Sequence, residues 1–129
     1  MERLLYSSVA ADGTDTQEVF RIIETSQRNN PRREVTGFLI HDDDRFLQLI
    51  EGPPLGVEGL LADIERDPRH HSVRVISRCS AGVRWFPDWE MKRLISFGAA
   101  PAQEELRAIL GEQDGGDEIL AEVNRFLGV

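Results

Sequence analysis

Two apolar runs, Val35 to Ile40 and Arg45 to Ile50, flank the acidic link His41-Asp42-Asp43-Asp44, and this pairing restricts the fold more than any other feature of the chain. Runs of this length around a polar link read as a β-hairpin. Pro53-Pro54 closes the segment, and the apolar hairpin then demands cover from neighbouring elements.

The flanking segments provide candidates for that cover. Residues 3 to 8 (RLLYSS) read as a first strand, followed by the turn-prone Ala11-Asp12-Gly13-Thr14. Asp15 and Glu18 have capping-box spacing, and Val19, Ile22 and Ile23 recur on one helical face, so residues 16 to 29 are expected to be helical. Asn29-Asn30-Pro31 ends that helix, because a residue before proline is pushed out of the helical region. Val57, Leu60, Leu61 and Ile64 mark a second helix stopping near Asp67-Pro68. Val73 to Ser77 and the stretch from Trp89 to Ile95 read as two further strands.

The order β-α-β-β-α-β-β predicts a ferredoxin-like α+β fold, with a mixed five-stranded sheet and two helices on one face. In the tail, Glu104 to Leu110 and Glu118 to Leu127 have apolar faces and are expected to cover the other side of the sheet. The expected organisation is a domain over 1–97 and a C-terminal helical cap over 98–129.

Charge and cysteine content exclude several functions. A net charge of −8 repels a phosphate backbone, and the basic residues are scattered, so direct nucleic-acid binding is not expected. One cysteine, Cys79, provides neither an intramolecular disulfide nor a thiolate cluster. No apolar run approaches the roughly 18 residues of a membrane span, which points to a cytoplasmic protein without membrane contact. There is no glycine-rich phosphate loop and no G-x-S-x-G elbow. Asp67-Pro68-Arg69-His70-His71 lacks metal-ligand spacing, and no metal site is expected.

Gln48 shares a strand face with Phe46 and Ile50, and Tyr6 shares one with Leu4 and Ser8. A buried amide without partners costs on the order of 1–3 kcal/mol. A Tyr6–Gln48 pair would satisfy both groups, either as a pin between neighbouring strands or as part of a site. Asn29 and Asn30 at a helix end read as a cap or turn more readily than as a ligand site.

Taken together, Leu4-Leu5-Tyr6-Ser7-Ser8, Glu24 to Asn30, Thr36-Gly37, Phe46 to Gly52, Asp67-Pro68-Arg69-His70 and Phe86 to Met91 resemble the BLUF photoreceptors, from Arg3 to about Leu94. The resemblance implies a non-covalent FAD, with FMN as the alternative. It implies that Tyr6 is the electron donor, that Gln48 is the amide between tyrosine and flavin, and that Asn30 bonds the pyrimidine edge. Asn29, Asp67, Arg69 and His70 match positions at the ring edge or ribityl side. Ser26, Trp89 and Met91 match positions whose arrangement changes with light.

By the same resemblance, light drives electron and proton transfer from Tyr6 through Gln48, and the outcome is a small red shift that reverses in the dark. The chain is then a sensor and not an enzyme, signalling to a downstream protein partner or as a homo-oligomer. Asp63 departs from the pattern, since some members carry a basic residue there. The competing expectations are a ferredoxin-like interaction module without functional flavin and, behind it, a small flavin enzyme.

Overall fold

The computed structural model describes the chain apart from residues 12, 14–17, 19–20, 22–24, 26–27, 29–33, 43, 96–99 and 129, and over 90–95 and 100–102 it describes backbone alone. Among the described residues, β1 (Glu2–Ala10), β2 (Thr36–Asp42), β3 (Arg45–Gly52), β4 (His70–Ser80) and β5 (Glu90–Ile95) form one sheet in the order β4-β1-β3-β2-β5. Neighbours are antiparallel except β5, which lies parallel to β2. The α+β class read from the sequence is the class of the folded chain.

β3 is central, and from Phe46 to Gly52 it is buried on both faces. Phe46, Gln48 and Ile50 point to one side, while Leu47, Leu49 and Glu51 point to the other. On the first side, Val57, Leu60, Leu61 and Ile64 of the helix Pro54–Arg66 pack against Leu4, Tyr6 and Ile50. Burying such side chains contributes about 1.5–3 kcal/mol each. Proline at the start of this helix loses no intrahelical bond. Its end is set by Pro68, which holds Asp67 in extended backbone at ψ 119°.

The second side is covered by the helices Ala100–Gly111 and Gly116–Leu127. Leu106, Leu110, Ile119, Val123 and Phe126 join Leu5, Phe38, Leu47 and Leu49 in one cluster. Gly115 and Gly128, at φ 83° and 77°, provide the left-handed turns at the two ends of the last helix. Gly37 allows a close approach within the hairpin. At φ 150°, a Cβ there would lie 1.8 Å from the Leu49 carbonyl oxygen.

β4 departs furthest from the sequence expectation, and the helix expected over 16 to 29 extends beyond the described residues. β4 runs over His70–Ser80 instead of Val73 to Ser77, because it ladders along the whole of β1 despite its polar, bulged sequence. His70 and His71 therefore begin a strand. Of the helix expected over 16 to 29, Glu18, Arg21, Thr25 and Arg28 are helical, and the other residues and the Asp15 cap lie outside the described residues.

Candidate functional site

Antiparallel pairing of β1 with β3 sets Tyr6 directly opposite Gln48, with Leu4 opposite Ile50 and Ser8 opposite Phe46. Tyr6 and Gln48 are each 2% exposed, and the Tyr6 hydroxyl donates to Gln48 Oε1. Burial raises the phenol pKa far above its ordinary value, and the Asp67 charge adds to the shift, so Tyr6 keeps its proton.

The pair forms the floor of a cleft between the sheet and the Pro54–Arg66 helix. Leu39, Phe46, Leu60 and Ile64 make its walls apolar, and Asp63, Asp67 and Arg69 form a charged rim beside His70. Asp67 accepts from the Arg69 backbone N–H at 2.9 Å and from its Nε at 2.9 Å. These bonds from Arg69 hold the Asp67 carboxyl below the usual carboxylate range, against the effect of partial burial. His70 Nδ1 lies 2.9 Å from Ser8 Oγ, and its ring meets Phe46 edge-on at 6.3 Å. Burial lowers the His70 pKa, which favours the neutral imidazole. Asp63 accepts from Arg66 at 3.0 Å.

The fold therefore brings together five of the sequence-derived residues: Tyr6, Gln48, Asp67, Arg69 and His70. Trp89 is 6% exposed and belongs to the core on the opposite face, 4.9 Å from the Phe86 ring. Met91 is placed by its β5 backbone, while Ser26, Asn29 and Asn30 lie outside the described residues. Sequence reasoning missed Leu39 and Leu60 as walls and the Ser8–His70 contact. Ser8 could have been found, since it repeats the Tyr6 face at period two.

The family described as BLUF, sensors of blue-light using FAD, matches residues 1–92. The chain is 32% identical over 89 residues to the photoactivated adenylate cyclase subunit beta of Euglena gracilis, a match covering 68% of this chain and 10% of that protein. It is 31% identical over 70 residues to the blue light- and temperature-regulated antirepressor BluF of Escherichia coli K12, covering 54% of this chain and 17% of that one. The matches thus span a tenth to a sixth of these relatives' length. Among solved structures, the dark state of BlrB, a BLUF protein, superposes with a TM-score of 0.73 at 30% identity, covering 96% of this chain and 92% of that chain. Klebsiella pneumoniae BlrP1 with FMN and cyclic diGMP gives a TM-score of 0.81 at 25% identity, covering 98% of this chain and 34% of that one. The chain belongs to the BLUF family of flavin-based blue-light sensors.

The residues present suit a flavin. A flat tricyclic ring calls for an apolar slot, and Leu39, Phe46 and Ile64 line one. Its polar edge calls for groups that both donate and accept, and Gln48 contributes a buried amide of that kind. Among the described residues, no helix is long and apolar enough to cross a membrane.

Proposed function

We propose that this chain senses blue light through the Tyr6–Gln48 pair and passes the change to a protein partner. The observation that carries the reading is the buried hydrogen bond from Tyr6 to Gln48 at the floor of an apolar cleft with a charged rim. Bound in the cleft, a flavin supplies light absorption and a strong oxidant. FAD is the proposed cofactor, with FMN accommodated in the same slot.

Tyr6 is the electron and proton donor, and its burial keeps the proton on Oη until it is called for. Gln48 takes that hydrogen bond on its carbonyl oxygen and can offer its amide N–H elsewhere, so the side chain has two discrete bonding states. Asn30 binds the pyrimidine edge, and Asn29, Asp67, Arg69 and His70 hold the ring edge and ribityl side. Ser26, Trp89 and Met91 respond to the rearranged amide. Trp89 would do so from the core beneath the C-terminal helices, with the sheet as intermediary.

In this reading residues 1–97 of the ferredoxin-like β-α-β-β-α-β-β fold bind flavin, Thr25 lines the cleft, and residues 98–129 carry the output. The output is contact with a downstream protein or a second copy of the chain. Asp63 on the rim is a carboxylate, paired with Arg66, and offers no cation toward the cofactor.

The test is the photocycle of two variants. Gln48→Leu and Tyr6→Phe should each retain flavin and lose the reversible red shift. A normal photocycle in either variant would remove that residue from the relay.

A further inference from the structure

Glu51 lies three residues beyond Gln48 on β3, its side chain on the opposite face, and it is fully buried. A buried carboxylate is retained only when its oxygens are satisfied. Here Arg3 Nε donates to Oε2 at 3.0 Å, and the backbone N–H groups of Trp85 and Phe86 donate to Oε2 and Oε1 at 3.1 and 2.6 Å. The Arg3 guanidinium also stacks on the Trp85 ring at 3.5 Å and donates to the Val83 carbonyl at 2.8 Å. From the loop side, Arg84 donates to the Glu51 carbonyl at 3.1 Å and to Thr36 Oγ1 at 2.9 Å.

These bonds join the central strand to the loop between β4 and β5. That loop continues into Trp89, whose carbonyl accepts from the Gly37 N–H at 2.9 Å, and its Trp85 and Phe86 pack under the C-terminal helices. Charge-assisted bonds to a buried carboxylate are short and strong, so a displacement of β3 cannot be absorbed by slack at this point. We propose that Glu51 is the positioning residue that couples the Gln48 segment of β3 to the Trp85–Trp89 loop. The coupling rests on the light-sensor reading. It assigns the step from the cleft to the far face to the Glu51 carboxylate.

The experiment is residue-resolved amide hydrogen exchange on the flavin-loaded full chain, in the dark and under blue light, with the flavin spectrum recorded on the same samples. In the unsubstituted chain, illumination should change exchange at Trp85 and Phe86. In Glu51→Gln one of the two accepting oxygens becomes an NH2 donor, so the three bonds now divided between Oε1 and Oε2 cannot all be kept. This variant should keep the red shift, exchange these amides about tenfold faster in the dark, and lose the light-minus-dark difference. Glu51→Asp keeps the charge facing Arg3 but withdraws the carboxylate by one methylene, and it serves if the glutamine variant fails to fold. A purely structural Glu51 would change dark exchange and leave the light-minus-dark difference intact, which overturns the proposal. A red shift with no light response at Trp85 and Phe86 in the unsubstituted chain overturns it as well. Absence of any red shift there sinks the sensor reading itself, and the coupling with it.

Discussion

Replacing Tyr6 and Gln48 singly and together measures how far the two act as one unit. Tyr6→Phe leaves Gln48 Oε1 without its phenolic donor at a site 2% exposed, and Gln48→Leu leaves the Tyr6 hydroxyl buried without that acceptor. Each single change should destabilise the fold by roughly 1–3 kcal/mol, the cost of removing one partner of a buried hydrogen bond. The double variant removes both groups, so its loss should fall short of the sum by about 1 kcal/mol or more. With a urea slope of about 2 kcal/mol/M, a 2 kcal/mol loss moves the unfolding midpoint by about 1 M. Midpoints should be taken at several flavin concentrations and extrapolated to none, because a ligand of the folded state adds stability by mass action. Additive losses, within about 0.5 kcal/mol, would refute the claim that the hydrogen bond couples these residues.

Three further outcomes are expected. Arg3→Met leaves the fully buried Glu51 carboxylate without its opposite charge and should cost about 3–5 kcal/mol in urea unfolding, whereas Arg125→Ala, removing an arginine 72% exposed, should cost no more than about 1 kcal/mol. Gly37→Ala forces a methyl group to 1.8 Å from the Leu49 carbonyl oxygen and should cost at least about 2 kcal/mol by the same assay. His70 has a folded pKa below its ordinary 6.5, so the unfolded chain binds the proton more readily and stability falls as pH drops below 6.5. His70→Gln should flatten that part of the pH–stability curve. The lowered Asp67 carboxyl then loses its contribution at more acid pH, as pH falls from the ordinary carboxylate range through its folded pKa.

The parts of the fold that could be read in the sequence were those in which burial imposes a period. The central hairpin shows as contiguous apolar residues, and the shared faces of Leu4, Tyr6 and Ser8 and of Phe46, Gln48 and Ile50 follow from alternation. That Tyr6 lies exactly across from Gln48 does not, because register depends on the whole β1–β3 ladder. The length of β4 was hidden because an edge strand with a bulge needs no regular apolar pattern. Trp89 follows a loop with no period, so its burial on the far face is visible only in the structure. Glu51 reads as a polar strand end, and its partners Trp85 and Phe86 are 34 and 35 residues away.

The most direct test of the central claim is the absorption spectrum of the purified chain, recorded in the dark, after blue light, and again after dark recovery. A bound flavin whose band shifts slightly to the red and then returns is the predicted result. A bound flavin whose spectrum blue light leaves unchanged would contradict the account.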